Sequence, residues 1–291
     1  MIAVIGSNGQ LGWELVRKGE ERGLNILALD YPEIDISDLA SIDACFDPTK
    51  FDLIVNAAAY TAVDRAESEP EAAFAVNRDG PAHLADRCRK HGIPLIHVST
   101  DYVFNGTKPG PYVEEDPVAP LGVYGRSKAA GEVEVRNRLP EHLIVRTAWL
   151  CGIHGDNFVK TMLRIGRVND TLRVVADQFG CPTFAADLAD AILKMVKQAE
   201  TSKSMPWGTF HYCGEGKTSW HGFAESIFEV AEQYEKFAVK EIIPIATEEY
   251  PTPVKRPANS VLDCSKIKKQ IGIRTRPWKE SLAKMIQELY V

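Results

Sequence analysis

Apolar and polar positions follow two alternating rhythms along this chain. Short, largely apolar runs at residues 2–5, 26–29, 53–55, 94–98 and 143–146 read as buried strands. Between them the apolar positions take helical spacing. Residues 13–21 form one such run, a short helix follows Asp35 and Ile36, and residues 71–91 place Phe74, Ala75, Leu84, Ala85 and Cys88 on one face. A further helix begins at Tyr124, and Gly23 and Gly92 stand where such helices stop. Strands that alternate with helices predict an α/β fold built on a parallel, doubly wound sheet. Residues 105–120 are rich in Gly and Pro and predict a loop, able to serve as a flap. After Leu150 the rhythm changes. Helices are expected over 187–197 and 220–234 with an extended stretch at 208–212, and the C-terminal part carries Pro244, Pro251, Pro253 and Pro257.

The first strand runs straight into Gly6-Ser7-Asn8-Gly9-Gln10-Leu11-Gly12, and a helix follows. In that order, bare backbone can approach a dinucleotide pyrophosphate while the helix N-terminus offers N–H groups and a favourable dipole. The second strand ends in Asp30, eighteen residues after Gly12. A carboxylate there can accept from adenosine ribose hydroxyls and repel a 2′-phosphate, or it can serve as a loop cap. The small residues Asn56-Ala57-Ala58-Ala59 allow either a ligand or a helix close to the backbone. These features predict a Rossmann-like dinucleotide-binding domain over 1–150. They leave 151–291 as a smaller α/β substrate lobe, some of whose segments return to the sheet, with a cleft between the two.

Candidate chemistry gathers around the fourth strand and the next helix. Ser99 and Thr100 emerge at the carboxyl edge of the sheet, and Tyr124 and Lys128 leave one helical face because they are four residues apart. An ammonium beside a phenol favours the phenolate, so the pair can exchange a proton with a carbonyl or alcohol oxygen near neutral pH. His97 reads as a satisfied core histidine.

Composition narrows the field. The chain has 291 residues with 45% hydrophobic and 25% charged, and its net charge of −6 argues against a general nucleic-acid binder. It opens directly on an apolar strand with no leader-like segment, and no apolar stretch is long enough to span a membrane. Six scattered cysteines without a Cys-x-x-Cys fit reduced thiols in a cytoplasm, and the seven histidines form no zinc pattern.

With the glycine turn, Ser99-Thr100-Asp101 and Tyr124…Lys128 in place, the chain resembles the extended short-chain dehydrogenase/reductase superfamily. Within it, the chain is similar to the ketoreductases that complete dTDP-L-rhamnose. The resemblance runs nearly end to end. It includes Ala59-Tyr60-Thr61, Ser99-Thr100-Asp101-Tyr102-Val103-Phe104, Arg146-Thr147-Ala148-Trp149, Asn157-Phe158-Val159-Lys160, Asp177-Gln178-Phe179-Gly180 and Arg256-Pro257-Ala258-Asn259-Ser260.

The resemblance implies NADH or NADPH as cofactor and a nucleotide-sugar ketone as substrate. It puts Gly6, Gly9, Gln10, Leu11 and Gly12 on the pyrophosphate, Asp30 on the adenosine ribose, and Asp35 and Ile36 toward adenine. Ala59, Tyr60, Thr61 and Val98 would line the cofactor. Tyr124 would be the proton donor, aided by Lys128 and Thr100. Thr100, Asp101, Tyr102, Trp149, Asn157, Lys160, Arg256 and Asn259 would meet the sugar nucleotide, with Arg164 and Lys255 as further cations for its diphosphate. Trp149 can lie against a deoxysugar or be an ordinary core residue. Related 4,6-dehydratases carry Asp-Glu after the catalytic threonine, whereas Thr100 here is followed by Asp101-Tyr102, which favours plain reduction. A cofactor-binding regulatory subunit, like that of methionine adenosyltransferase, is the non-catalytic alternative, and a reductase or dehydratase of another nucleotide sugar is the enzymatic one. Some relatives dimerise around Mg²⁺. Here Glu14 matches one ligand position, but Ala186 replaces another carboxylate beside Asp187, so no metal and a monomer or weak homodimer are expected.

Overall fold

The structure, a computed structural model, describes residues 1–201 and 205–291. The first half alternates as its pattern predicts: β1 (Ile2–Ile5), α1 (Gln10–Glu21), β2 (Ile26–Leu29), α2 (Leu39–Cys45) and β3 (Leu53–Asn56). Then come α3 (Val63–Ala66), α4 (Pro70–Phe74), a π-helical turn (Ala75–Asp79), α5 (Gly80–His91), β4 (Leu95–Thr100), a 3₁₀ turn (Asp101–Val103), α6 (Val123–Arg138) and β5 (His142–Thr147). The remainder holds β6 (Leu150–Cys151), α7 (Phe158–Gly166), β7 (Thr171–Val175), β8 (Phe179–Gly180), β9 (Thr183–Phe184), α8 (Ala185–Thr201) and β10 (Gly208–His211). It ends with β11 (Thr218–Ser219), α9 (Trp220–Ala231), β12 (Glu241–Ile245), a 3₁₀ turn (Thr247–Glu249), α10 (Ser265–Gln270) and α11 (Trp278–Tyr290).

Six parallel strands form the central sheet in the order β10-β5-β4-β3-β1-β2. β1, β3 and β5 are buried along their whole length, as continuous apolar runs in a sheet covered on both faces must be. One face is covered by α1 and α8, whose Leu11, Leu15, Leu188, Ile192 and Met195 pack on Val4, Val55 and Val145. α5 and α6 cover the other with Leu84, Ala85, Cys88 and Val135 against Ile54, Leu95 and Ile144. This is a Rossmann-like α/β fold. The chain leaves β1 for one side of the sheet and β3 for the other, so a crevice opens above their carboxyl ends. Around α7, α9 and α11 lies a separate apolar cluster that includes Leu163, Phe223, Phe228, Trp278 and Leu282. The parallel pair β7 and β12 borders it.

Three departures from the sequence pattern have physical causes. Helix α1 starts at Gln10, inside the glycine turn, because Gly9 already serves as its N-cap. The run expected as one helix over 71–91 contains the π turn, which inserts an extra residue and rotates the buried face. Ala73, Asn77, Leu84, Ala85 and Cys88 therefore point inward, while Phe74 and Ala75 are only half-buried. The 105–120 loop is packed down. Tyr112 is buried and stacked on Phe104, and Asn259 Nδ2 donates to the Lys108 and Gly110 carbonyls at 2.8 and 2.9 Å.

Candidate active site

A cleft of about 830 Å³ opens above the carboxyl ends of β1, β3 and β4. At one end the glycine turn forms its wall. Gly6 has φ +84, and a Cβ there would lie 2.5 Å from the Ala58 nitrogen. A Cβ on Gly12 would lie 1.9 Å from the Gly6 carbonyl oxygen. Only bare backbone fits, and Gly9 caps α1 without a side chain, so the first N–H groups of that helix remain for an anion. The Asp30 carboxylate accepts from the Asn8 N–H at 2.6 Å and the Tyr31 N–H at 2.7 Å, which holds the turn against the end of β2. It lines the cleft as well, so one residue both caps the turn and faces the cleft. Asp35 and Ile36 stand at this end; Asp35 Oδ1 accepts from Ser37 N–H and Oγ at 2.9 and 2.6 Å.

The wall at Ala59, Tyr60 and Thr61 is fixed by a residue that the sequence pattern did not single out. Asn77, in the π turn and fully buried, accepts from Tyr60 N–H at 2.9 Å and donates to Tyr60 O and Ser127 Oγ, both at 3.0 Å. A buried asparagine on an otherwise apolar helical face was the available signal.

At the floor, β4 delivers Thr100 and α6 delivers Tyr124 and Lys128. Thr100 Oγ1 donates to Asp101 Oδ1 at 3.0 Å and accepts from Tyr102 N–H at 3.1 Å. The rings of Tyr102 and Tyr124 meet edge to face at 5.4 Å. Burial pushes the Asp101 carboxyl up to about 6, against the opposing pull of the Ser260 and Thr100 hydroxyls. The Tyr124 phenol is also raised, mainly by burial, while the adjacent Thr100 hydroxyl lowers it and Asp101 and Tyr102 raise it further. This corrects the expectation that Lys128 eases ionisation of the phenol. Lys128 Nζ is turned down to the sheet, donates to Val98 O at 2.7 Å, and is itself lowered to about 8 by burial, with Glu132 opposing. Behind it, Glu132 and Arg146 form a buried ion pair at 2.6 Å, and Ser99 Oγ donates to Glu132 Oε1 at 2.6 Å. That pair ties α6 to β4 and β5 one layer beneath the reactive groups.

Trp149 closes the far wall. Its backbone has φ +49, unusual for a bulky residue and a mark of local strain. Its ring stacks on Trp220 with centroids 3.5 Å apart, and a Cβ on Gly180 would lie 2.4 Å from it. Thus the glycine of Asp177-Gln178-Phe179-Gly180 makes room for the indole, a role that spacing alone could not indicate.

All the residues expected at the cofactor line this one cleft, together with Thr100, Asp101, Tyr102 and Trp149. Asn157, Lys160, Arg256 and Asn259 do not. Asn157 Nδ2 donates to Gln10 Oε1 at 3.0 Å and to Gly152 O at 2.7 Å. Lys160 Nζ is taken up by the Ile153 and Gly155 carbonyls and faces a separate hollow shared with Arg164. Asn259 clasps the 105–120 loop. Arg256 Nη2 pairs with Asp64 at 2.7 Å, with its guanidinium 6.0 Å from the Tyr102 ring centroid. The carboxylates expected near a dimer metal are also engaged: Glu14 pairs with Arg17, and Asp187 with Arg276 and Ser281. Among the described residues no group of three or more His, Cys, Asp or Glu side chains is placed to hold a metal ion.

A family model described as the RmlD substrate binding domain matches residues 1–291. The chain belongs to that family. A dTDP-4-dehydrorhamnose reductase of Sinorhizobium fredii is 45% identical over 290 residues, 99% of this chain and 97% of the relative. Among solved structures, a dTDP-4-dehydrorhamnose reductase of Clostridium acetobutylicum has a TM-score of 0.93 at 39% identity, covering 100% of this chain and 99% of its own. The same enzyme of Bacillus anthracis, in complex with NADP, has a TM-score of 0.91 at 35% identity, with 99% and 98% covered. For this RmlD-family chain the alignment with such relatives is end to end, so the glycine turn, the Thr100 strand and the segments around Trp149 and Arg256 all lie within the matched region.

Proposed function

We propose that this chain reduces the C4 ketone of dTDP-4-dehydro-6-deoxy-L-mannose to give dTDP-L-rhamnose, with NADH or NADPH as reductant. The observation that supports this best is the meeting of Thr100, Tyr124 and Lys128 at the floor of the cleft whose other end is the glycine turn. The turn and the N-terminus of α1 hold the pyrophosphate, Asp30 the adenosine ribose, Asp35 and Ile36 the adenine side, and Lys128 the nicotinamide ribose. The bound nicotinamide supplies hydride to the ketone carbon. Tyr124 donates its proton to the ketone oxygen, and its raised, still protonated phenol suits a donor. Thr100 donates a hydrogen bond to the same oxygen, so both groups act most strongly where negative charge develops. Tyr102 follows Asp101 where a dehydratase needs a second carboxyl group, which leaves carbonyl reduction as the chemistry of the floor.

In this reading 1–150 is the cofactor domain and 151–291 mainly the substrate lobe. Trp149 lies on the apolar side of the deoxysugar, Asp101 and Tyr102 meet the hexose, and Arg256 reaches the diphosphate by leaving Asp64. Asn157, Lys160 and Asn259 shape the surrounding loops. The enzyme works in the cytoplasm, where its six free thiols stay reduced, as a monomer or weak homodimer. Incubation with NADH and dTDP-4-dehydro-6-deoxy-L-mannose, with the product identified by mass and NMR, tests the assignment. Absence of a reduced sugar nucleotide, or equal kcat/KM for the free keto-deoxysugar, would overturn it.

A further inference from the structure

His97 lies in β4 with no exposed surface, between Asn56 at the end of β3 and Lys128 on α6. The Asn56 amide settles which ring nitrogen carries the proton. Its Oδ1 accepts the Ala58 N–H at 3.1 Å, so the end that meets His97 Nδ1 at 3.2 Å is the NH₂ group, which can only donate. Nδ1 therefore offers its lone pair. Burial keeps the ring neutral, holding its pKa well below the usual histidine range, and Lys128 and His142 push it the same way. A neutral imidazole has one N–H, so that proton sits on Nε2, 3.5 Å from Lys128 Nζ.

An N–H aimed at an ammonium, which has no lone pair, is repulsive, whereas the same N–H aimed at a neutral amine is a hydrogen bond. The other groups that face this contact are few. On α6, Glu132 lies one turn beyond Lys128 and favours the ammonium. From β4 the Val98 carbonyl accepts from Nζ in either charge state. β5 contributes His142, which acts on His97, and β3 contributes only Asn56. We propose that His97, with its tautomer fixed by Asn56, is a positioning residue that biases Lys128 toward the neutral amine and so sets the upper pH limit of the Tyr124–Lys128 pair. Burial acts on Lys128 in the same direction. The consequence for turnover rests on the reductase reading above; the consequence for Lys128 itself does not.

Two spectroscopic measurements and one kinetic measurement test this. The ¹⁵N spectrum of histidine-labelled protein should show His97 protonated at Nε2 and bare at Nδ1. In protein labelled at lysine Cε, the signal lost in Lys128→Met should titrate near pH 8. Asn56→Leu removes the amide that donates to Nδ1, so the ring can offer Nε2 as an acceptor. The Lys128 midpoint should then rise by about one pH unit, and the basic limb of kcat/KM should move with it. A His97 protonated at Nδ1, or a Lys128 midpoint unchanged in folded Asn56→Leu, would overturn the proposal. Should that variant not fold, the wild-type ¹⁵N spectrum still decides the tautomer. Absence of turnover in the wild type would sink the reductase reading and leave the two spectra to judge His97.

Discussion

Tyr124 and Lys128 share a face of α6, yet their polar ends part: the phenol faces the Thr100 hydroxyl and the ammonium the Val98 carbonyl. Helical spacing made the pair legible, but the direction of the lysine depends on a strand thirty residues earlier, beyond the reach of local pattern. Tyr124→Phe is expected to lower kcat by at least ~10²-fold, the scale of a positioned general acid, with little change in the Kd for NADH. Near-normal turnover would remove Tyr124 from the donor role. Asp101 gives a second residue-scale expectation. Its carboxyl is raised from 3.8 to about 6 in the folded protein, so folding is penalised once the group ionises. The stability that the neutral acid contributes is complete below about pH 4 and is lost as pH rises through about 6. Asp101→Asn should therefore match the wild type near pH 4 and exceed it at pH 8 by roughly 1–3 kcal/mol in urea unfolding. Equal stability at both pH values would show that the carboxyl is solvated.

At the scale of elements, the alternation of strands and helices was written plainly in the apolar runs, because a sheet covered on both faces demands them. What the runs concealed was phase and partnership. The π turn at Ala75–Asp79 shifts the buried face by one residue and carries Asn77, whose partners Tyr60 and Ser127 lie elsewhere in the chain. Equally hidden was the Glu132–Arg146 pair, since two charged residues on separate elements look like solvated surface until the fold brings them together. Burial pushes the Glu132 carboxyl up, and Arg146, Ser99 and Arg136 together more than offset it, so it lies below the usual carboxylate range. Arg146→Met should cost about 3 kcal/mol because it leaves the buried carboxylate with only Ser99 and the half-exposed Arg136 as partners. Adding Glu132→Leu should recover most of that loss, since a buried ion pair is often replaceable by apolar packing. A single variant as stable as the wild type in urea would mean that water reaches Glu132.

For the molecule as a whole, the fold class and one end of the cleft were readable from the glycine turn onward. Substrate contacts were less so. Asn157, Lys160 and Asn259 sit in motifs that attract attention, but their polar atoms hold loops in place. Charge across the cleft also bears on cofactor choice. Among the described residues Lys128 is its only lining cation, and Asp30 stands beside the turn, so none of these would neutralise a 2′-phosphate. NADH should be used at least as well as NADPH by kcat/KM, and Asp30→Asn should tilt the ratio toward NADPH. A strong NADPH preference in the wild type would contradict this account of the end of β2. The placement of β10 carries a different consequence, one for biosynthesis. Its partner β5 ends at Thr147, but β10 reaches His211 before it can pair, and the intervening chain must be made first. Through that interval the nascent polypeptide presents an unpaired, apolar strand edge, the kind of surface that recruits other chains. A gene truncated at the end of the cofactor-binding half would make that interval permanent, and its product should collect in inclusion bodies.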